Sequence, residues 1–193
     1  VSLIPRIEEY LLYRGFKKKR NFSSTFPLEK SFFTKKKVKM KLNKKKFNVC
    51  YAGNFGFDNY LEDVFDLISN IKSKTFNFHF FGNGSQKLLL EKRYSYLPNV
   101  KFYEHVEYKN LHSILLKMNC MLVSFGFNNK YPLFGYELNK MNNYLMSSKP
   151  IIVIGKKKNL SNKRGNFIFV QKKSSALFEK KLLNIKKNYQ FFL

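Results

Sequence analysis

The chain has 193 residues and a formal charge of +25, from 37 Lys and Arg against 12 Asp and Glu. Its 22 Phe and 12 Tyr argue against a disordered polycation, and five Pro with nine Gly exclude collagenous or Pro/Gly-rich sequence. No stretch approaches the length of a charge-free membrane span, and two Cys, Cys50 and Cys120, make no disulfide framework.

The charge is uneven. Residues 1–49 carry a net +12, residues 50–148 a net +2 and residues 149–193 a net +11. Only five of the basic residues are Arg, and Lys is less suited to bidentate base or phosphate recognition. An AT-rich coding sequence yields the same Lys and Asn bias as a selected basic surface. The chain begins with Val1, and Pro5, Glu8 and Glu9 stand where a signal peptide would be apolar, so a piece of a longer, cytoplasmic protein is expected.

A short amphipathic helix is expected at 7–12, ending near Gly15. Residues 17–46 hold three basic clusters with little periodicity and read as linker or solvated surface. The first buried strand is expected at 47–52 (FNVCYA), ending in the turn Gly53-Asn54-Phe55-Gly56. Asp58 or Asn59 would cap a helix in which Leu61, Val64, Phe65 and Ile68 recur at helical spacing. A second strand at 76–81 ends in Gly82-Asn83-Gly84, and Ser85 would cap the next helix, 88–90 being its Leu run. A third strand is expected at 99–106. A helix with Leu111, Ile114, Leu115 and Met118 leads to a fourth strand at 120–124. A helix through Leu138, Met141 and Leu145 then leads to a fifth at 151–154, and a basic helix closes the chain at 174–188.

Short apolar strands alternating with helices describe βαβ units: an α/β, Rossmann-like, doubly wound parallel sheet. Ligands bind such sheets at the C-terminal ends of the strands. The glycine turns at 53–56 and 82–84, Gly126 and Gly155 all fall at that edge. The expected organisation is an interdomain helix and basic linker at 1–46, a nucleotide-binding domain at 47–158, and a basic tail with a helix at 159–193.

The ordered motifs resemble the C-terminal nucleotide-sugar-binding domain of a GT-B glycosyltransferase of the retaining group 1 family. They are VCYAGNFG (49–56), FHFFGNGSQKLLL (78–90), LPNVKFYEHV (97–106), LHSILLKMNCMLVSF (111–125) and FGYELNKMNNYLMSSKPIIV (134–153). The last is similar to the family's "YG-x-S-P-N-K-x-x-x-Y-x-x-x-G-K-P-I-I" block. The resemblance implies transfer of a sugar from a nucleotide-diphosphate donor to a hydroxyl acceptor, with retention, in surface polysaccharide or glycolipid synthesis. It also implies an N-terminal acceptor domain that this chain lacks. Glu104, Asn119, Glu137-Leu138, Asn143 and Ser148 depart from the family's residues; Asn143 stands where many members carry a ribose-binding carboxylate, and Ser148 where they carry Gly.

On the resemblance, Lys140 is the catalytic-site candidate, an ammonium that would neutralise charge on the leaving diphosphate. Asn139 accompanies it. Gly53, Gly56, Gly82 and Gly84 let the backbone approach a phosphate, or serve as structural turns. Asn54 and Lys87 would add contacts to the diphosphate, and Tyr136, Glu137 and Asn143 to sugar or ribose. Lys87 reads equally as a solvated helix lysine. Three dispersed His give no metal-ligand spacing, and neither a metal nor another cofactor is expected. The charge also leaves nucleic acid or a non-catalytic partner role as the rival, and an anionic membrane surface as a further partner.

Overall fold

A computed structural model describes residues 12, 13, 15, 38–127, 139–155 and 167–192. The helix expected at 7–12 and the basic stretch 17–37 fall almost entirely outside the described residues. The described elements run β1 (Phe47–Ala52), α1 (Leu61–Ser69), β2 (Phe76–Phe81), α2 (Lys87–Tyr94), β3 (Val100–Tyr103), α3 (Tyr108–Leu115), β4 (Cys120–Ser124), α4 (Asn139–Met146), β5 (Ile151–Ile154), β6 (Phe167–Val170) and α5 (Ser175–Lys187).

The strands form one six-stranded sheet in the order β3-β2-β1-β4-β5-β6, with every pairing parallel. The order reverses between β1 and β4, the crevice where doubly wound sheets take ligands. Strands buried on both faces need apolar residues at successive positions, and β1, β4 and β5 are buried throughout. One face packs Val49, Tyr51, Phe78 and Phe80 against α1, α2 and α5. The other packs Cys50, Ala52, Met121 and Val123 against α3 and α4. Phe65 of α1 stacks on Tyr94 at 4.8 Å and lies 4.4 Å from the Phe80 ring, joining α1, α2 and β2 in one aromatic layer.

Four expectations change. β3 stops at Tyr103, because only Val100–Tyr103 pair with β2 and Glu104 turns out to meet Lys87. Neither Asp58 nor Asn59 caps α1: residues 57–59 form a 3₁₀ turn, and Tyr60, at φ +47, stands at the helix start. Ser85 does not cap α2 either; Gln86 occupies that position, its N–H donating to the Phe55 carbonyl at 2.9 Å. Residues 38–42 are not featureless. Val38, Met40 and Leu42 pack on the core while Lys39 and Lys41 are exposed, an alternation of period two.

The stretch expected as a basic tail with a helix carries that helix and, before it, a sixth strand. Phe167–Val170 pairs with β5, and Phe178, Leu182 and Ile185 of α5 are fully buried. Ser174 caps α5, its hydroxyl accepting the Leu177 N–H at 3.3 Å.

Two buried polar groups, Asn48 and His79, tie neighbouring strands together. Asn48 donates its N–H to the Asn119 side-chain oxygen at 2.8 Å, and its carbonyl accepts the Asn119 N–H at 2.9 Å. The amide oxygen does there what a carboxylate oxygen would do, and it lies at the edge opposite the glycine turns. The Asn48 amide nitrogen donates to Asn43 and Lys46 carbonyls, so its oxygen accepts from His79 Nε2 at 2.9 Å. The Tyr103 hydroxyl then donates to His79 Nδ1 at 3.0 Å. Burial, and secondarily Lys101, push the His79 pKa down to about 4, so the ring is neutral at pH 7.

Candidate functional site

The two glycine turns form one unit. Pairing between β1 and β2 continues past both strand ends: Gly53 N–H donates to Phe81 at 3.0 Å and Phe55 N–H to Asn83 at 2.9 Å. At Gly82, φ is +137, and an added Cβ would lie 1.9 Å from the Gly53 carbonyl oxygen. At Gly84 it would lie 2.3 Å from the Asn54 side-chain oxygen. Glycine is required at both positions by the contact between the turns. Gly53 differs: its added Cβ would meet the flexible end of Lys140, at 2.9 Å from Nζ.

Lys140, in the first turn of α4, reaches over the end of β1. Its Nζ donates to the Tyr51 hydroxyl at 3.0 Å and to the Asn59 side-chain oxygen at 2.5 Å. It also lies 4.5 Å from the Tyr51 ring centre. Tyr51 in turn donates its hydroxyl to the Asn54 carbonyl at 2.6 Å, so the same ring anchors the first glycine turn and seats the ammonium. No carboxylate pairs with Lys140 among the described residues. Burial pushes its pKa down to about 7. A lysine held by neutral oxygens and a ring, beside a glycine turn, would have its charged form favoured by a nearby anion.

The loops after β1 and β4 are also linked. The Tyr60 ring covers Gly126, where φ is +70 and an added Cβ would be 2.6 Å from the ring. Asp63 accepts the Phe127 N–H at 3.2 Å. α4 is fastened to β1 by Tyr144, one turn after Lys140, whose hydroxyl bonds both backbone groups of Ala52.

Lys87 is not the solvated helix lysine that its sequence position allowed. It is buried, and its ammonium donates to Asn83 Oδ1 and the Tyr103 carbonyl, each at 3.2 Å, and to Glu104 at 2.7 Å. Those three acceptors use its three N–H groups. Asn143 is buried and accepts from the Tyr108 hydroxyl at 3.3 Å, joining α4 to α3. Asn54 and Gly56 sit on the first turn, Asn54 exposed. Tyr136 and Glu137 lie outside the described residues, as does the side chain of Asn139.

The structure therefore brings together Lys140, Gly53 and Asn54, with Gly82 and Gly84 beneath. Tyr51, Asn59 and Tyr144 were missed by sequence reasoning. Tyr144 had a usable signal, since residues four apart share a helix face. Tyr51 had none beyond its place at the end of a buried strand.

No protein-family model and no curated protein sequence matches the chain. Solved structures do match it. The apo form of the lipopolysaccharide outer core galactosyltransferase WaaB superposes with a TM-score of 0.59 at 13% identity, over 99% of this chain and 55% of that one. The catalytic domain of cholesterol-alpha-glucosyltransferase from Helicobacter pylori gives 0.56 at 11% identity, over 76% of this chain and 91% of that one. HepE of Anabaena, in complex with UDP and glucose, gives 0.56 at 9% identity, over 76% of this chain and 40% of that one. The chain has the fold of the Rossmann-like half of a GT-B glycosyltransferase. It spans about half the length of WaaB and less of HepE.

Proposed function

We propose that this chain is the donor half of a glycosyltransferase and binds a nucleotide-diphosphate sugar at the β1/β4 crevice. The observation that carries this reading is Lys140, an ammonium with no carboxylate partner among the described residues, seated against Gly53 at the sheet's ligand edge. The bound UDP of HepE supports it by fold, since that protein's matching region has the same architecture. Gly53 gives the diphosphate access to Lys140, and Asn54 adds a side-chain hydrogen bond. Lys140 neutralises charge as the nucleotide leaves, with no proton transfer required. Tyr136, Glu137, Asn139 and Asn143 are assigned to the sugar and ribose.

Retention of configuration, a hydroxyl acceptor and a role in surface polysaccharide or glycolipid synthesis follow from the sequence resemblance. The resemblance also implies an N-terminal acceptor domain, which completes the reaction.

Calorimetric titration with UDP tests the reading. A hydrogen bond to a charged group contributes about 1.5–3 kcal/mol, so Lys140→Ala is expected to weaken UDP binding about tenfold or more. Equal affinity in the two proteins would remove Lys140 from the site. Absence of any UDP or GDP affinity in the unaltered chain would favour the second reading, a non-catalytic partner. That reading draws on Lys87, whose ammonium is already bound within the fold.

A further inference from the structure

The positive charge is sorted across the sheet. In a parallel sheet every strand begins at one edge, and here lysines precede the strands. Lys44 and Lys45 come before β1, Lys74 before β2 and Lys117 before β4, and all four are exposed. α5 returns to the same edge. Just past its end the Tyr189 ring meets Phe47, the first residue of β1, at 5.6 Å, and Lys149 lies 5.7 Å from that ring. Exposed Lys186 and Lys187 of the last turn of α5 therefore join the strand-start edge.

Most of the carboxylates among the described residues lie elsewhere. Asp58, Glu104 and Glu107 follow β1 and β3 at the ligand edge, and Glu62 and Asp63 occupy the first turn of α1. Near the strand starts, Glu179 is committed to backbone, accepting the Lys72 and Ser73 N–H groups at 3.3 and 2.7 Å. Among the described residues the fold thus separates a mostly lysine edge from the mixed-charge ligand edge.

The basic edge also carries apolar side chains that are exposed among the described residues. Leu183 is 44% exposed and Phe191 is 89% exposed. Leu183, Lys187 and Phe191 follow one another at intervals of four residues, the first two on one stripe of α5.

We infer that the strand-start edge, with the end of α5, docks on an anionic lipid surface. Point-charge ammonium groups suit a diffuse anionic layer, where no forked, base-reading geometry is needed. Exposed Leu and Phe beside them suit shallow insertion at the headgroup boundary. This association is peripheral; among the described residues no helix is long and apolar enough to cross a membrane. The nucleotide crevice lies on the opposite edge and stays open to water, so docking is independent of the donor reading.

The test is cosedimentation of the full chain with phosphatidylcholine vesicles, with and without phosphatidylserine. Binding is expected only to the anionic vesicles and is lost in half-molar salt. Replacing Lys44, Lys45, Lys186 and Lys187 together by Gln should lower partitioning at least about tenfold. Phe191→Ser alone, with every lysine retained, should also lower it. All five side chains are exposed, and a melting curve confirms that each variant is folded. Equal binding to neutral vesicles, or unchanged binding of the lysine variant, overturns the inference. So does a chain that ignores vesicles and binds a single-stranded oligonucleotide instead.

Discussion

The Tyr144 hydroxyl accepts the Ala52 N–H at 2.7 Å and donates to the Ala52 carbonyl at 3.1 Å. Both groups belong to the last residue of β1. The paired register between β1 and β4 covers only Val49 and Cys50, so the two strands part before Ala52. A phenol from α4 substitutes for the missing strand. The crevice at the sheet's reversal stays open while its backbone is satisfied, and Lys140, on the same helix, is brought to its rim.

Tyr144→Phe should therefore destabilise the fold without enlarging a cavity. Two buried backbone groups lose their partner, at about 1–3 kcal/mol for an unsatisfied group. Urea unfolding followed by circular dichroism should show a lower midpoint with an unchanged slope. A midpoint equal to that of the parent would mean that water replaces the phenol.

The two glycines nearest each other in the turns should behave differently. Gly82→Ala forces a Cβ to 1.9 Å from a backbone oxygen at φ +137, and a loss of more than about 3 kcal/mol, or failure to fold, is expected. Gly53→Ala meets only the movable end of Lys140 and the Tyr51 hydroxyl. It should keep stability within about 1 kcal/mol while weakening UDP binding, because the ammonium is displaced. Parallel melting and titration of the two variants checks this; similar stability losses in both would contradict it.

Ser148 holds φ +53 just past α4, in the left-handed region, where a side chain costs about 1–2 kcal/mol relative to glycine. Ser148→Gly should raise stability by about 1 kcal/mol, or roughly 2–4 °C in melting temperature for a chain of this size. A lower melting temperature would show that the serine side chain gives back more than the backbone loses.

Lys140 should make both stability and binding depend on pH. Its folded pKa, about 7, is below its ordinary value of 10.5. Between those values the unfolded chain holds a proton that the folded chain lacks, so stability rises with pH. Below about 7 both states are protonated and the full desolvation cost is felt. Lys140→Met should consequently be more stable than the parent at pH 6, with the gap closing towards pH 10. Binding of a diphosphate raises the lysine pKa again, so UDP binding at pH 8 should take up a proton. Titrations in buffers of different ionisation enthalpy measure that uptake, and its absence would detach the anion from Lys140.

Four strands, β1, β2, β4 and β5, fall where the sequence places them, because a parallel strand buried on both faces must be a short, mostly apolar run. β6 escapes the same reasoning: its four residues are only partly buried at three positions and sit between basic segments. The helix that carries Lys140 was legible from an ordered motif. Lys87 was not legible as a buried side chain, since its acceptors Tyr103 and Glu104 lie 16 and 17 residues away, at and just past the end of β3.

The amino-acid sequence alone determined the alternation of elements, the glycine turns and the near-neutral middle of the chain, all of which rest on local periodicity and composition. Only the tertiary structure decided the strand order and what the site residues touch. Lys140 finds its seat on Asn59 and Tyr51, 81 and 89 residues away. Spacing along a chain governs which side chains share a face, but not which faces meet. Packing across the sheet's reversal made Gly82 a steric requirement and left Gly53 facing Lys140. The same packing, by bringing all the strand starts to one edge, gathered scattered lysines into a surface.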